Sequence, residues 1–137
     1  MSAFIDTSGA YALLVRTEDR HAEVVRAFRG LAEGRRTLWT TSYVIVETVA
    51  LLQHRIGLEP VRDFLDHFVP LFSVEWVSEA MHASGVARLL REDRRQLSLV
   101  DCVSLECVQA HDIRDALALD RHFEEVGCRV LPMSRTS

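Results

Sequence analysis

Four carboxylates have the type and setting needed for metal chemistry on a phosphate: Asp6, Glu47, Asp101 and Asp120. Asp6 follows the apolar run Ala3-Phe4-Ile5, and Asp120 follows Ala-Leu-Ala-Leu. Each precedes a stretch that reads as the start of a helix. An acid at the carboxyl end of a parallel strand stands where open α/β sheets bind ligands; the same placement also suits a helix N-cap. Glu47 lies among Val44, Ile45, Val46, Val49, Ala50, Leu51 and Leu52. A helix apolar on nearly every side is expected to be mostly buried, so Glu47 needs a salt bridge to an arginine, a metal or a polar cleft. Asp101 closes Ser98-Leu99-Val100-Asp101, a capping-box variant with Asp at its third position. The apolar Cys102-Val103-Ser104-Leu105 after it places the acid at the rim of a core. Ser98 can both cap that helix and support the carboxylate. Together the four acids offer oxygen donors suited to Mg²⁺. One or two such ions would orient a water and stabilise the charge developing on a scissile phosphate, with no covalent nucleophile.

That chemistry needs distant segments brought together, and the patterning supplies the means. Short apolar runs alternate with longer amphipathic ones, which predicts an α/β domain with a mainly parallel sheet. Strands are expected at about Ala3–Ile5, Leu38–Thr40, Leu71–Val77, Asp115–Leu119 and Cys128–Leu131. Helices are expected over Gly9–Arg16, Arg20–Glu33, Ser42–Arg55, Leu58–Val69, Ser78–Glu92 and Ser98–His111, with a short one opening at Asp120. Gly34, Gly57 and Pro70 read as helix ends, and Thr41 or Ser42 as a cap. In the second helix Ala22, Val25, Phe28, Leu31 and Ala32 are expected on the buried face. Asp115 begins the strand that Asp120 ends, about 16 Å away at roughly 3.3 Å per residue, and so should have no part in the site. The tail from Pro132 reads as loose.

The chain has 137 residues, 48% of them hydrophobic and 26% charged, which fits one domain covering residues 1–137. Met1 leads into Ala3-Phe4-Ile5 with no basic leader, and no apolar run is long enough to span a bilayer. A cytoplasmic protein with no membrane role is therefore expected. The three cysteines, Cys102, Cys107 and Cys128, lack CxxC spacing and read as small core residues. The net charge of −4 lacks the basic footprint of a general nucleic-acid binder, although a bound divalent cation would invert the local sign.

The segments Phe4-Ile5-Asp6-Thr7-Ser8, Val46-Glu47-Thr48, Ser98-Leu99-Val100-Asp101-Cys102 and Ala118-Leu119-Asp120-Arg121-His122-Phe123 resemble a PIN domain, particularly the toxin nuclease of the VapBC type. The resemblance spans nearly the whole chain. It implies a three-layer α/β/α sandwich around a parallel sheet of about five strands. It also implies hydrolysis of RNA phosphodiester bonds dependent on Mg²⁺ or Mn²⁺. Asp6, Glu47, Asp101 and Asp120 match the family's acidic quartet, and Ser8 and Ser98 match supporting polar positions. Asp6, Asp101 and Asp120 would hold metal, while Glu47 would be a ligand or hold a water. Many relatives carry Asn or Thr where this chain has Leu119. A homodimer and a cognate antitoxin that blocks the site are further implications.

Arg121 and His122 could touch phosphate at a helix N-terminus. Arg35-Arg36 and Arg94-Arg95 read as solvated loop charge, Trp39 and Trp76 as core or rim. Phe64, Phe68 and Leu71 suit core packing better than a partner surface. Two other functions compete. An Asp-based phosphoryl-transfer domain would want a second acid where Ser8 stands, or a lysine near the last strand, and all 16 basic residues are arginine. A non-catalytic RNA- or protein-binding module would keep the fold without turnover.

Overall fold

Hydroxyl and carboxyl side chains mark where helices begin. Asp6, Thr41, Ser78 and Ser98 each accept a backbone N–H of the helix that follows, supplying the bonds that a first helical turn lacks. The computed structural model describes residues 1–133. In chain order its elements are β1 (Ser2–Ile5), α1 (Thr7–Leu14), α2 (His21–Glu33), β2 (Thr37–Thr41), α3 (Ser42–Arg55), α4 (Leu58–Asp63), β3 (Phe72–Glu75), α5 (Glu79–Glu92), α6 (Leu99–Ala110), β4 (Asp115–Leu117) and β5 (Arg129–Leu131). A π-helical turn over Phe64–Phe68 and a 3-10 turn over Val69–Leu71 extend α4, and a 3-10 turn over His122–Val126 precedes β5.

The five strands form one parallel sheet in the order β3-β2-β1-β4-β5. Ala3 pairs with Leu38 on one side and Asp115 on the other. Side chains alternate across the sheet. Ala3 and Ile5 enter a core with Val24, Leu52 and Phe64, while Phe4 enters a second core with Val44, Leu105, Val108 and Phe123. Two cores on opposite faces make the α/β/α sandwich expected of an alternating strand-and-helix chain.

Most element positions agree with the sequence reading, and several details are corrected. First, α1 starts at Thr7 instead of Gly9, because Asp6 is already its cap. Second, the buried stripe of α2 includes Val24 and Leu31, with Val25, Ala27 and Phe28 partly buried, whereas Ala22 and Ala32 are exposed. Third, the helix read over Leu58–Val69 loses α-geometry at Phe64 and closes through the π and 3-10 turns, where Pro70 lacks an N–H for α-helical bonding. Fourth, α3 is only half buried: Val44, Ile45, Thr48 and Leu52 face inward, and Val46 is 69% exposed. Trp76 is likewise exposed, unlike Trp39, and Leu71 is exposed while Phe64 is core. The strand read to Leu119 ends at Leu117, and the last one begins at Arg129. All three cysteines are buried and free. The tail expected to be loose lies mostly outside the described residues.

Candidate active site

Strand order reverses at β1. From there β2 and β3 step outward on one side, and β4 and β5 on the other. The crevice above the carboxyl ends of β1 and β4 is therefore the switch point, where an open parallel sheet leaves room for a ligand. Asp6 is the residue after β1, and Asp120 lies three residues beyond the end of β4. Asp101 comes from the first turn of α6. Carboxylate oxygens of these three lie within 4.8 Å of one another.

Each acid is held by local bonds that the sequence encodes. Asp6 Oδ1 accepts the Gly9 N–H at 2.9 Å and the Ser8 hydroxyl at 2.8 Å. The Ser8 oxygen in turn accepts the Leu119 N–H at 2.9 Å, which fastens the chain beyond β4 to the start of α1. This link stands beside Leu119, which itself has no polar side chain to offer. Asp101 Oδ2 accepts the Ser98 N–H at 2.9 Å, and Ser98 Oγ accepts the Asp101 N–H at 3.0 Å, a complete capping box. Capping and convergence are thus not alternatives: Asp6 and Asp101 do both.

Three carboxylates this close should repel one another. Burial, then the neighbouring Asp120 and Asp101 charges, raise the Asp6 carboxyl well above its usual range, against the pull of the Gly9 and Ser8 hydrogen bonds. Burial also raises Asp120; His122 draws it down and Asp101 pushes it further up. Asp120 Oδ1 is buried without a hydrogen-bond partner. Buried carboxylate oxygens with no partner are costly, and the set here is all oxygen. Such a donor set fits a hard divalent cation of the Mg²⁺ or Mn²⁺ class.

Around the three acids lies an open cavity of about 420 Å³, also lined by Glu47, Ser8 and Ser98. Glu47 is half buried and stands on the cavity wall, outside the three-acid cluster. Among the described residues no salt bridge to an arginine satisfies it. His122 Nε2 sits 3.9 Å from Asp101 Oδ2 and 3.8 Å from Asp120 Oδ1. Arg121 does not line the cavity, and its guanidinium pairs with Glu124 at 2.9 Å. Asp115 lies at the opposite end of β4, bound by Arg36 and Arg129, as its position in the strand implied. Arg94 pairs with Glu125 at 2.8 Å.

Tyr11, Glu18 and Arg55 on the cavity wall escaped the sequence reading. Arg55 is the one basic side chain among the lining residues, and its guanidinium carbon lies 5.3 Å from the centre of the Tyr11 ring. A signal was present: Glu47, Leu51 and Arg55 recur every four residues on α3, so one helix face carries all three into the cavity.

Known proteins share this fold. The chain is 29% identical over 125 residues to the 23S rRNA-specific endonuclease VapC20 of Mycobacterium tuberculosis, covering 90% of this chain and 93% of that protein. The crystal structure of that VapC20, described as a sarcin-ricin loop cleaving toxin, superposes with a TM-score of 0.81 and 28% identity, over 93% of this chain and 97% of the other. VapBC2 from Rickettsia felis, solved with a promoter DNA fragment, shares the fold at a TM-score of 0.69 and 13% identity, over 95% and 97% of the two chains. FitAcB from Neisseria gonorrhoeae does so at 0.67 and 13%, over 93% and 95%. Residues 3–127 match the family described as PIN domain. That match spans nearly the whole parallel five-stranded domain, and the chain belongs to the PIN domain family.

Proposed function

We propose that this chain is a metal-dependent endoribonuclease, acting as one domain and as the toxin of a type II toxin–antitoxin pair. The observation that carries the reading is the convergence of Asp6, Asp101 and Asp120, with a buried Asp120 oxygen left unpartnered. These three would hold Mg²⁺ or Mn²⁺. When bound, the ion supplies Lewis-acid activation of water and neutralises charge at the scissile phosphate.

The remaining work falls to the chain's own side chains. Ser8 fixes the rotamer of Asp6 and anchors Leu119. The capping box holds Asp101 in register with α6. Glu47, across the cavity, accepts a hydrogen bond from the attacking water and orients it. His122 Nε2 can exchange a proton with a phosphate oxygen or the leaving hydroxyl beside Asp101 and Asp120. Arg55 supplies the positive charge that an RNA phosphate needs in an otherwise acidic cavity.

VapC20 suggests the first substrate to try, a sarcin-ricin-type hairpin of 23S rRNA. VapBC2 and FitAcB suggest that an antitoxin covers the site of this chain in turn. We place it in the cytoplasm as a homodimer. Among the described residues no helix is long and apolar enough to cross a membrane, and exposed Val46, Leu71, Trp76 and Leu90 offer apolar surface to a second copy.

The test is cleavage of that hairpin and of total rRNA by purified protein with Mg²⁺ or Mn²⁺, with EDTA, and by Asp101→Asn. Asparagine keeps an oxygen for the Ser98 N–H but removes the charge. The reading expects metal-dependent cleavage, lowered about a hundredfold or more in the variant. Equal cleavage in EDTA, or no cleavage of any RNA by a folded protein, would refute it.

A further inference from the structure

A second group of potential metal ligands stands apart from the acidic cavity. Glu75 is the last residue of the edge strand β3, and Cys107 and His111 are one turn apart at the end of α6. A carboxylate oxygen, the Cys107 sulfur and a His111 ring nitrogen all lie within 4.8 Å of one another. Nothing in the chain order brings Glu75 to this helix; the sheet does, by setting β3 beside β2 and α6 across it.

We infer that Glu75, Cys107 and His111 form a binding site for a thiophilic divalent cation of the Zn²⁺ class, separate from the nuclease centre. The donor set is sulfur, nitrogen and oxygen. That mixture selects zinc-like ions over Mg²⁺, which favours all-oxygen sites. Cys107 and His111 follow the i, i+4 rule that places two side chains on one helix face, the spacing helical zinc sites use. The ligand geometry is already restricted. His111 Nε2 is 3.1 Å from Glu75 Oε1, and the His111 ring stacks on Trp39 with centroids 4.0 Å apart and planes inclined by 21°. The stack fixes the plane in which the imidazole presents its nitrogens.

Access and charge also suit an ion. Cys107 is fully buried, while the Glu75 and His111 side chains are about one-third exposed, at 30% and 32%. The sulfur therefore forms the floor, the other two ligands form the mouth, and the fourth tetrahedral position faces solvent. With one carboxylate, one thiolate, a neutral imidazole and a divalent cation the site carries no net charge. Without the cation the thiol stays protonated, because burial and the Glu75 charge push it up to about 12. On binding, the S–H bond breaks, the sulfur bonds the metal and the proton leaves to solvent. The ion would clamp β3 to α6, stabilising the fold by its preference for the native state. This inference does not rest on the nuclease reading.

The probe is Co²⁺, titrated into EDTA-treated, dialysed full-length protein under reducing conditions. The expected result is a thiolate-to-cobalt charge-transfer band with tetrahedral visible bands, both abolished by added Zn²⁺. Asp101→Asn should keep the band, since the acidic cavity holds no sulfur. Cys107→Ser should lose it, and so should Glu75→Gln and His111→Gln, whose part-exposed positions leave the core intact. Zn²⁺ should raise the melting temperature of Asp101→Asn, in which the acidic cluster is disabled, and adding Cys107→Ser to that variant should abolish the rise. No charge-transfer band from folded wild type, or an undiminished band in Cys107→Ser, would overturn the assignment and leave a hydrogen-bonded Glu75–His111 pair beside a core thiol.

Discussion

Gly9 lies against the backbone of Leu117 so closely that a Cβ at Gly9 would be 2.2 Å from the Leu117 carbonyl oxygen. That contact lets α1 start directly over the end of β4. It is also why Asp6 and Asp120, on either side of it, reach the same point. Gly9→Ala must push helix and strand apart, since neither backbone can yield cheaply. The expected cost is about 1–3 kcal/mol of stability, with a larger loss of cleavage than unfolding alone explains. Thermal melts and single-turnover cleavage of the folded fraction check this. A fully active Gly9→Ala would show that the contact does not position the acids.

Mutual repulsion of the three acids sets a second expectation. Asp120→Asn removes one charge and leaves both helix caps in place. In EDTA the variant should be more stable than the wild type by about 0.5–1 kcal/mol, a modest figure because Asp120 is partly exposed to solvent. Millimolar Mn²⁺ should raise the melting temperature of the wild type and leave the variant unmoved. Equal responses to Mn²⁺ would place the ion elsewhere.

Arg55 gives a third. Its removal should weaken RNA affinity several-fold and reduce the slope of log affinity against log salt by about one, as loss of a single phosphate contact does. Arg55→Ala should raise KM more than it lowers kcat. Filter binding over a salt series, with Ca²⁺ to suppress turnover, reads this directly.

At the far end of β4 the expectation concerns folding alone. Burial acts to raise the Asp115 carboxyl, but hydrogen bonds from Arg36 at 2.5 Å and Arg129 at 3.0 Å outweigh it and hold the group below its usual value of 3.8. A depressed folded pKa means stability that is present above the unfolded value and lost as pH falls through the folded one. Asp115→Asn should cost about 2–3 kcal/mol at neutral pH. The gap should narrow below about pH 4, while cleavage per folded molecule stays unchanged. Urea melts across pH 3–7 are the measurement.

Local chemistry made much of this protein legible in its sequence. The alternation of apolar runs gave the α/β class, because side-chain period and secondary structure are tied. The cap at Ser98, and the bounds of α3, follow from single residues whose bonding reach is two or three positions. Asp6 and Asp120 stood out because each ends an apolar run, and Asp115 could be set aside from its place in the same strand. Other features depended on which strands became neighbours. The order β3-β2-β1-β4-β5 brought Asp6 to Asp120, and placed α6 so that Asp101 joined them. No local preference encodes strand order, which is settled by how two helical layers cover the sheet. The half-exposure of α3 was misjudged for the same reason: an apolar helix shows its composition in sequence, but only its neighbours decide which apolar residues they cover. Glu75, Cys107 and His111 carry no readable spacing across the chain from β3 to α6. The i, i+4 pair on α6 is local, but its meeting with Glu75 is a product of the folded sheet.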